Sequence, residues 1–165
     1  MFRKLYIKFK QAVFSHFALL RIGSFLEKPK ANSWTVLSKN THLGRNVNFN
    51  GMRIYGGGKV IIGDNFHSGK GCYIITQVHN YEGKSIPYDD TYRLKNIEIE
   101  ENVWFGMNVS VLSGCRIGEG AIVQAGSVVV SDVPKYAIIG GNPAKVFSSR
   151  DIKHYQKLKV QGCVH

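Results

Sequence analysis

Two periodicities divide this chain of 165 residues. From Phe2 to Leu20, apolar side chains recur at helical spacing: Phe2, Leu5, Tyr6, Phe9, Val13, Phe17 and Leu20. That spacing predicts an amphipathic helix with a single apolar stripe, and Arg3, Lys4, Lys8 and Lys10 lie mostly off it. From Leu37 to Val129 a six-residue beat takes over. Written in sixes, "IEENVW FGMNVS VLSGCR IGEGAI VQAGSV VV" puts Ile99, Phe105, Val111, Ile117, Val123 and Val129 first in each unit. The fifth place is held by Val103, Val109, Cys115, Ala121 and Ser127, all of small or modest size. Upstream, Leu37, Leu43 and Phe49 keep one register; one extra residue near "YGGGK" shifts it, and Ile62, Ser68 and Ile74 keep the next. The tail "SSRDIKHYQKLKVQGCVH" predicts a short polar helix, with Ser149 or Asp151 as its cap.

Six residues make a short strand. One large and one small inward side chain, four apart, respect the two-residue alternation of a strand and leave a flat face. Three such faces close into a triangular coil of about eighteen residues, and coils stack about 4.8 Å apart as parallel strands. The repeat therefore predicts an all-β parallel β-helix of about five coils, about 24 Å tall. The chain divides into a helical segment (1–30), the β-helix (31–148) and a helical tail (149–165).

The beat fails once, at "IITQVHNYEGKSIPYDD". Ile74 opens a unit whose sixth residue is His79, and the next clean unit starts at Ile99. Residues 80–96 are surplus to the coil and polar, so they must leave the prism as a protruding loop. His79 is expected where a rigid wall meets that arm, a place suited to a fixed catalytic group.

Charge narrows the partners. Lys and Arg total 22 against 11 acidic residues, a formal +11. Such a surface attracts polyanions. The basic residues are scattered and no RNA- or DNA-binding signature is present, so nucleic acid is not expected as a partner. Three cysteines without CxxC spacing argue against a disulfide framework and fit a reducing cytoplasm. Cys115, in a small inward place, reads as a buried hydrophobe. No apolar run spans a bilayer, and lysines interrupt the apolar start, against a cleavable signal. The first twenty residues leave two options: a helix that caps the prism or packs on a neighbouring subunit, or a peripheral contact with an anionic membrane.

The hexads resemble those of the left-handed parallel β-helix acyltransferases, over roughly residues 35 to 147. "NVWFG", "AGSVV" and "GGNPAKV" look most like the maltose/galactoside and polysaccharide O-acetyltransferase branch. The resemblance implies a left-handed coil, a homotrimer with sites between neighbouring prisms, acetyl-CoA as co-substrate, no metal, and His79 as general base for direct acetyl transfer to a saccharide hydroxyl. It implies Trp104 along the pantetheine chain, the backbone of Gly106, Ala125, Gly126 and Ser127 against the cofactor, and Lys145 and Arg150 at its phosphates. Gly126 serves equally as a corner residue, and Arg150 equally as a solvated charge. Tyr81, Tyr88 and Asp89, in the loop, would face the sugar, at the inner face of the membrane where surface polysaccharide is assembled. Two departures stand out: Gly71 occupies the place of an asparagine in the galactoside branch, and Val130-Ser131 replaces a common Thr-Lys.

Three rivals remain. β-Helical carbonic anhydrases resemble this architecture and bind a metal through three histidines, but His42, His67 and His79 are 25 and 12 residues apart and do not share a face of an eighteen-residue coil. A non-catalytic scaffold leaves the loop and "NVWFG" unexplained. N-acetylation of an amino sugar would use the same base and co-substrate.

Overall fold

The computed structural model describes residues 2–112 and 114–165. Helix α1 (Phe2–Leu19) is followed by a β-solenoid of three parallel faces, then by helix α2 (Ile152–Val160). The first face stacks β1 (Ser24–Phe25), β3 (Thr41–Leu43), β6 (Val60–Ile62), β11 (Ile97–Ile99) and β14 (Arg116–Ile117). The second stacks β2 (Lys30–Ala31), β4 (Asn48–Asn50), β7 (His67–Lys70), β12 (Trp104–Phe105), β15 (Ile122–Val123) and β17 (Ala137–Gly141), and β18 (Ala144–Ser149) folds back antiparallel on β17. The third stacks β5 (Arg53–Tyr55), β8 (Tyr73–Ile75), β13 (Ser110–Val111) and β16 (Val128–Val129). A separate antiparallel pair, β9 (Gln77–His79) with β10 (Tyr92–Leu94), forms the arm.

Every first-place and fifth-place residue of the hexads from Ile99 to Val129 is buried. So are Leu37, Leu43, Phe49, Ile62, Ser68 and Ile74. The strands, however, straddle the written boundaries of the sixes. Ile97 and Ile99 are both buried with Glu98 exposed between them on one strand. A strand thus carries the fifth residue of one unit and the first of the next, two apart, and the corner falls in the four-residue step. The irregularity upstream is also more specific than one inserted residue. Ile54 pairs with Ile74 on the third face, so the inward leads run Phe49, Ile54, Ile62: one residue is missing before Ile54 and two are added after it.

The solenoid has about six turns rather than the expected five. Its first rung begins within the stretch assigned to the helical segment, with β1 inside it and β2 across its boundary, where "SFLEKPKAN" carries no hexad. Inside the prism, Phe49, Phe66 and Phe105 form a fully buried column with ring centroids 6.0 and 5.1 Å apart. Cys72 and Cys115 are buried free thiols, with burial pushing both above their ordinary pKa. At one corner Asn46, Asn65 and Asn102 all adopt positive φ, and their amides chain along the stack: Asn46 Nδ2 donates to Asn65 Oδ1 (3.0 Å), and Asn65 Nδ2 to Asn102 Oδ1 (2.9 Å). Asparagine tolerates the left-handed turn, and the ladder satisfies its amide in turn.

Helix α2 is capped by Asp151, whose carboxylate accepts from His154 N. Glu119 anchors the helix to the prism. Its Oε1 accepts from Lys159 Nζ (2.6 Å) and from the Tyr155 hydroxyl (3.2 Å), while Asn102 Nδ2 donates to that hydroxyl (2.8 Å). Burial alone would raise the Glu119 carboxyl; the hydrogen bond and charge of Lys159 outweigh it and hold it below its ordinary value. Burial pushes Tyr155 up to about 12.

Candidate active site

The outward side chains of the second face form a register-matched column: Lys30, Asn48, His67, Trp104, Ile122 and Ile138. Over its upper half lies a cleft of about 480 Å³, lined by His67, Trp104, Gly106, Ala125, Ile138 and Phe147 among others. Its floor comes close because of two glycines. A Cβ at Gly69 would sit 2.5 Å from the Gly106 carbonyl carbon, and a Cβ at Gly106 would sit 2.5 Å from the Ala125 nitrogen. One roof residue, Phe147, is the extra residue of a bulge in β18, between partners of Ile138 and Ile139, and the bulge re-aims it.

Below, a second cavity of about 410 Å³ shares His67 and Trp104 with the first and is closed by Arg150, Tyr155, Lys159 and the tail residues Cys163 to His165. Burial, with a smaller contribution from His165, lowers the pKa of His67, so this imidazole is neutral at physiological pH. One ring nitrogen of His67 lies 3.1 Å from Asn50 Nδ2. The arrangement is a mostly apolar groove with a neutral imidazole at its middle, a shape suited to a long chain with amide groups.

Of the residues nominated along a cofactor, Trp104, Gly106 and Ala125 line the cleft. Gly126 does not; it takes φ +74° at an exposed corner and gives its N–H to the Met107 carbonyl (2.8 Å). The Ser127 side chain is fully buried, its hydroxyl donates to Gln124 O (2.6 Å), and it points into the prism because it occupies an inward place of the hexad, so only its backbone could meet a ligand. Lys145 is exposed on β18. Arg150 belongs to the lower cavity, where Nε donates to Gly120 O (2.5 Å) and the guanidinium lies 5.6 Å over the Tyr155 ring. Gly71 is a corner at φ +75°, and a Cβ there would meet the Asn108 side chain at 2.3 Å.

The arm begins earlier than the lost beat implied. The chain leaves the third face after Thr76, and His79 sits on the hairpin itself, paired with Tyr92, three residues out from the wall. Its exposed ring stacks on Tyr88 (3.8 Å between centroids) and leans on Tyr92 (4.7 Å). Neither ring nitrogen has a hydrogen-bond partner among the described residues. Tyr81 lies under the Arg93 guanidinium, which is paired with Glu82. Asp89 is turned inward to the arm: its oxygens accept from Thr91 N (2.9 Å), Thr91 Oγ1 (2.5 Å) and Lys84 N (3.0 Å), and those bonds hold its carboxyl below the ordinary range. The arm rests on "GGG". A Cβ at Gly58 would meet Lys95 O at 2.6 Å, and one at Gly56 would meet Thr76 Oγ1 at 2.5 Å. The two added residues after Ile54 therefore make room for the arm's base.

His42, His67 and His79 lie on three different sheets. No metal-holding cluster of His, Cys, Asp or Glu occurs among the described residues. No helix among them is long and apolar enough to cross a membrane. Sequence reasoning passed over His67, Asn48, Met107, Ile138 and Phe147 as site residues. His67 was legible in principle, since it is the polar outward residue just ahead of the Ser68-Gly69 hexad start.

A three-faced solenoid built on a six-residue repeat is what this chain shares with hexapeptide-repeat acetyltransferases. Residues 96–131 match the family described as bacterial transferase hexapeptide (six repeats), and the chain carries that repeat and shares its fold with hexapeptide-repeat acetyltransferases. It is 37% identical over 114 residues to the Saccharomyces cerevisiae protein YJL218W, which carries an acetyltransferase name; the match covers 65% of this chain and 55% of that one. Among solved structures, it resembles the Vibrio cholerae hexapeptide-repeat acetyltransferase VCA0836 complexed with acetyl coenzyme A (TM-score 0.61, 27% identity, 79% of this chain and 66% of that). It resembles equally a maltose O-acetyltransferase from Clostridium difficile (TM-score 0.61, 25% identity, 78% and 66%). The chain spans about half, or less, of the length of the curated relatives it matches.

Proposed function

We propose that this protein transfers an acetyl group from acetyl-CoA to a saccharide hydroxyl, as a homotrimer whose sites lie between neighbouring subunits. The observation that carries the proposal is the second-face cleft, where Trp104, Gly106 and Ala125 gather beside a close-packed glycine column. Its apolar walls suit the pantetheine chain, and the solved VCA0836 relative is described with acetyl coenzyme A. Lys145 on β18 and Arg150 in the link from β18 to α2 supply positive charge for the phosphates.

Geometry also motivates the subunit arrangement. The arm leaves the prism between the third face and the first, at the edge opposite the second face. Within one chain His79 and the cleft point apart; packing prisms side by side brings the arm of one to the groove of another. In such a site the His79 imidazole takes the proton of the acceptor hydroxyl, and the freed oxygen attacks the thioester carbonyl. The carbon–sulfur bond breaks, and the imidazolium returns the proton to the departing thiolate. A backbone N–H near Ala125 stabilises the oxyanion. Tyr88 and Tyr92 hold the ring in place by stacking, and Tyr81 with Tyr88 offers aromatic faces to a sugar.

A second reading has its own observation: His67, not His79, lines the cleft within one chain. Thiol release from acetyl-CoA in the presence of mixed glycans tests both. The proposal requires His79→Ala to abolish turnover with His67→Ala retaining part of it; the reverse outcome assigns the base to His67. Mass spectrometry of the product for one added acetyl on oxygen or nitrogen separates O- from N-transfer, and no thiol release with any acceptor leaves the scaffold.

A further inference from the structure

Helix α1 is mounted the wrong way round for a capping helix. Phe14 packs half-buried against the core and Phe17, at the edge of the stripe, packs on Trp34, while the other contacts with the first rung are small and polar: Ser15 Oγ accepts from Ala31 N (2.9 Å), Gln11 Nε2 donates to Asn32 Oδ1 (2.6 Å), and Ala18 is buried beside them. On a helix these last three are one face, and the opposite face holds Phe2, Leu5, Tyr6, Phe9, Val13 and Leu20. Phe2, Leu5, Tyr6 and Phe9 are between 65% and 85% exposed. The apolar stripe therefore points away from the prism. Arg3, Lys4, Lys8 and Lys10 are all exposed; at about 100° per residue Arg3 and Lys10 border the stripe on one side and Lys8 on the other, while Lys4 falls on the side of Gln11 and Ser15. No Asp or Glu occurs before Glu27.

We propose that this outward face lies flat on an anionic membrane surface, with Phe2, Leu5, Phe9 and Val13 in the acyl boundary and the bordering Arg3, Lys8 and Lys10 at the lipid phosphates. The charge pattern selects this occupant. A second copy of the helix laid against the stripe would bring six bordering cations together with no carboxylate from either helix to offset them. A lipid surface bearing negative headgroups complements the same residues. Eighteen residues give a helix about 27 Å long, enough to lie along the interface through five turns. The contact does not depend on the acetyl-transfer reading, since α1 (Phe2–Leu19) contains none of the residues assigned to it.

The test is co-sedimentation of the full chain with vesicles of phosphatidylcholine, with and without phosphatidylglycerol, over a range of salt. Wild type sediments with the phosphatidylglycerol vesicles, is released as salt rises, and stays in solution with phosphatidylcholine alone. Phe9→Glu, an exposed site whose change leaves the fold intact, weakens sedimentation at least about tenfold. The double change Arg3→Ser with Lys10→Ser, which leaves the stripe whole, weakens it by about tenfold or more. Absence of binding to anionic vesicles, or equal binding to neutral ones, overturns the proposal. So does a Phe9→Glu protein that keeps its membrane affinity but falls to a smaller oligomer by light scattering, because the stripe is then a subunit contact.

Discussion

Two glycines one corner apart make a sharp test of why this cleft exists. Gly106 has ordinary backbone geometry, but a Cβ there would meet Ala125 N at 2.5 Å, Ala125 Cα at 2.9 Å and Gln124 C at 3.1 Å. The first approach falls about 0.9 Å short of ordinary contact at 3.4 Å, and all three partners are backbone of the next coil. Gly106→Ala must therefore pry two coils apart beside the bond from Gly106 N to Val123 O. Overpacking of this kind costs about 1–3 kcal/mol, and the smaller unfolded-state gain of about 0.4–1 kcal/mol offsets only part. The net loss of about 1–2 kcal/mol lowers the melting temperature by roughly 2–8 °C in a chain of this size. Gly126 is the opposite case: a Cβ there meets nothing within 4 Å, but φ is +74°. Gly126→Ala costs about 1–2 kcal/mol as left-handed strain. Rescue tells them apart. Asn108 holds the same corner one coil below with φ 55°, so Gly126→Asn should recover most of the loss, whereas Gly106→Asn should be worse than Gly106→Ala. Melting curves of the four variants, with CoA affinity by calorimetry, read the outcome; affinity should fall for the Gly106 pair and hold for the Gly126 pair. A Gly106→Ala protein that melts at or above wild type and binds CoA normally would refute the close-packing account of the cleft floor.

Other outcomes follow from the same contacts. His79→Ala should lower turnover by about 10²- to 10⁴-fold with CoA affinity and melting temperature unchanged, the size of a lost general base, measured by thiol release. Gly58→Val should displace the arm, since its Cβ would sit 2.6 Å from Lys95 O; trypsin cleavage in residues 80–96 should quicken while the core stays folded. Glu119 has a folded pKa below its ordinary 4.5, so its contribution to docking α2 is complete above about pH 4.5 and is lost as pH falls through the folded value. Helical circular dichroism of α2 should drop across that range before the β signal does, and Glu119→Gln should make the loss independent of pH.

The repeat was legible because one physical requirement recurs: each strand must fill the prism with a fixed volume. That is why Ile99 to Val129 could be assigned to the core residue by residue. Strand boundaries were not legible, because a six-residue beat is the same wherever the count begins. Only pairing fixes that Ile97 and Ile99 share a strand. The first rung hid in "SFLEKPKAN" because it is covered by α1 and need not fill the interior with large side chains; Ala31 suffices. A motif phrase such as "AGSVV" nominates a stretch and not its individual side chains: alternation decides which of them face out, and the Ser127 side chain faces in. The amphipathic stripe of α1 was equally visible, but its direction was not. Periodicity shows that one face is apolar, while only the contacts of Ser15 and Ala18 show that the other face meets the protein.

The break at His79 shows how a solenoid separates precision from adaptability. Coils are fixed by ladders of backbone bonds, so the column Asn48, His67, Trp104, Ile122 cannot shift by a fraction of a rung without breaking a stack. The arm has one two-stranded pair and its own hydrogen bonds, centred on Asp89, Thr91 and Arg93. An isolated two-stranded pair is marginal by itself. Here it is seated on three glycines and tightened by tyrosine stacking around His79. A cofactor with constant structure is suited to the rigid face, and an acceptor that varies from one protein to another is suited to the arm. Grafting a different residue 80–91 segment onto the same base should therefore change the preferred acceptor in a thiol-release screen while leaving CoA affinity as it was; a graft that altered CoA affinity and left acceptor preference untouched would reverse that division of labour.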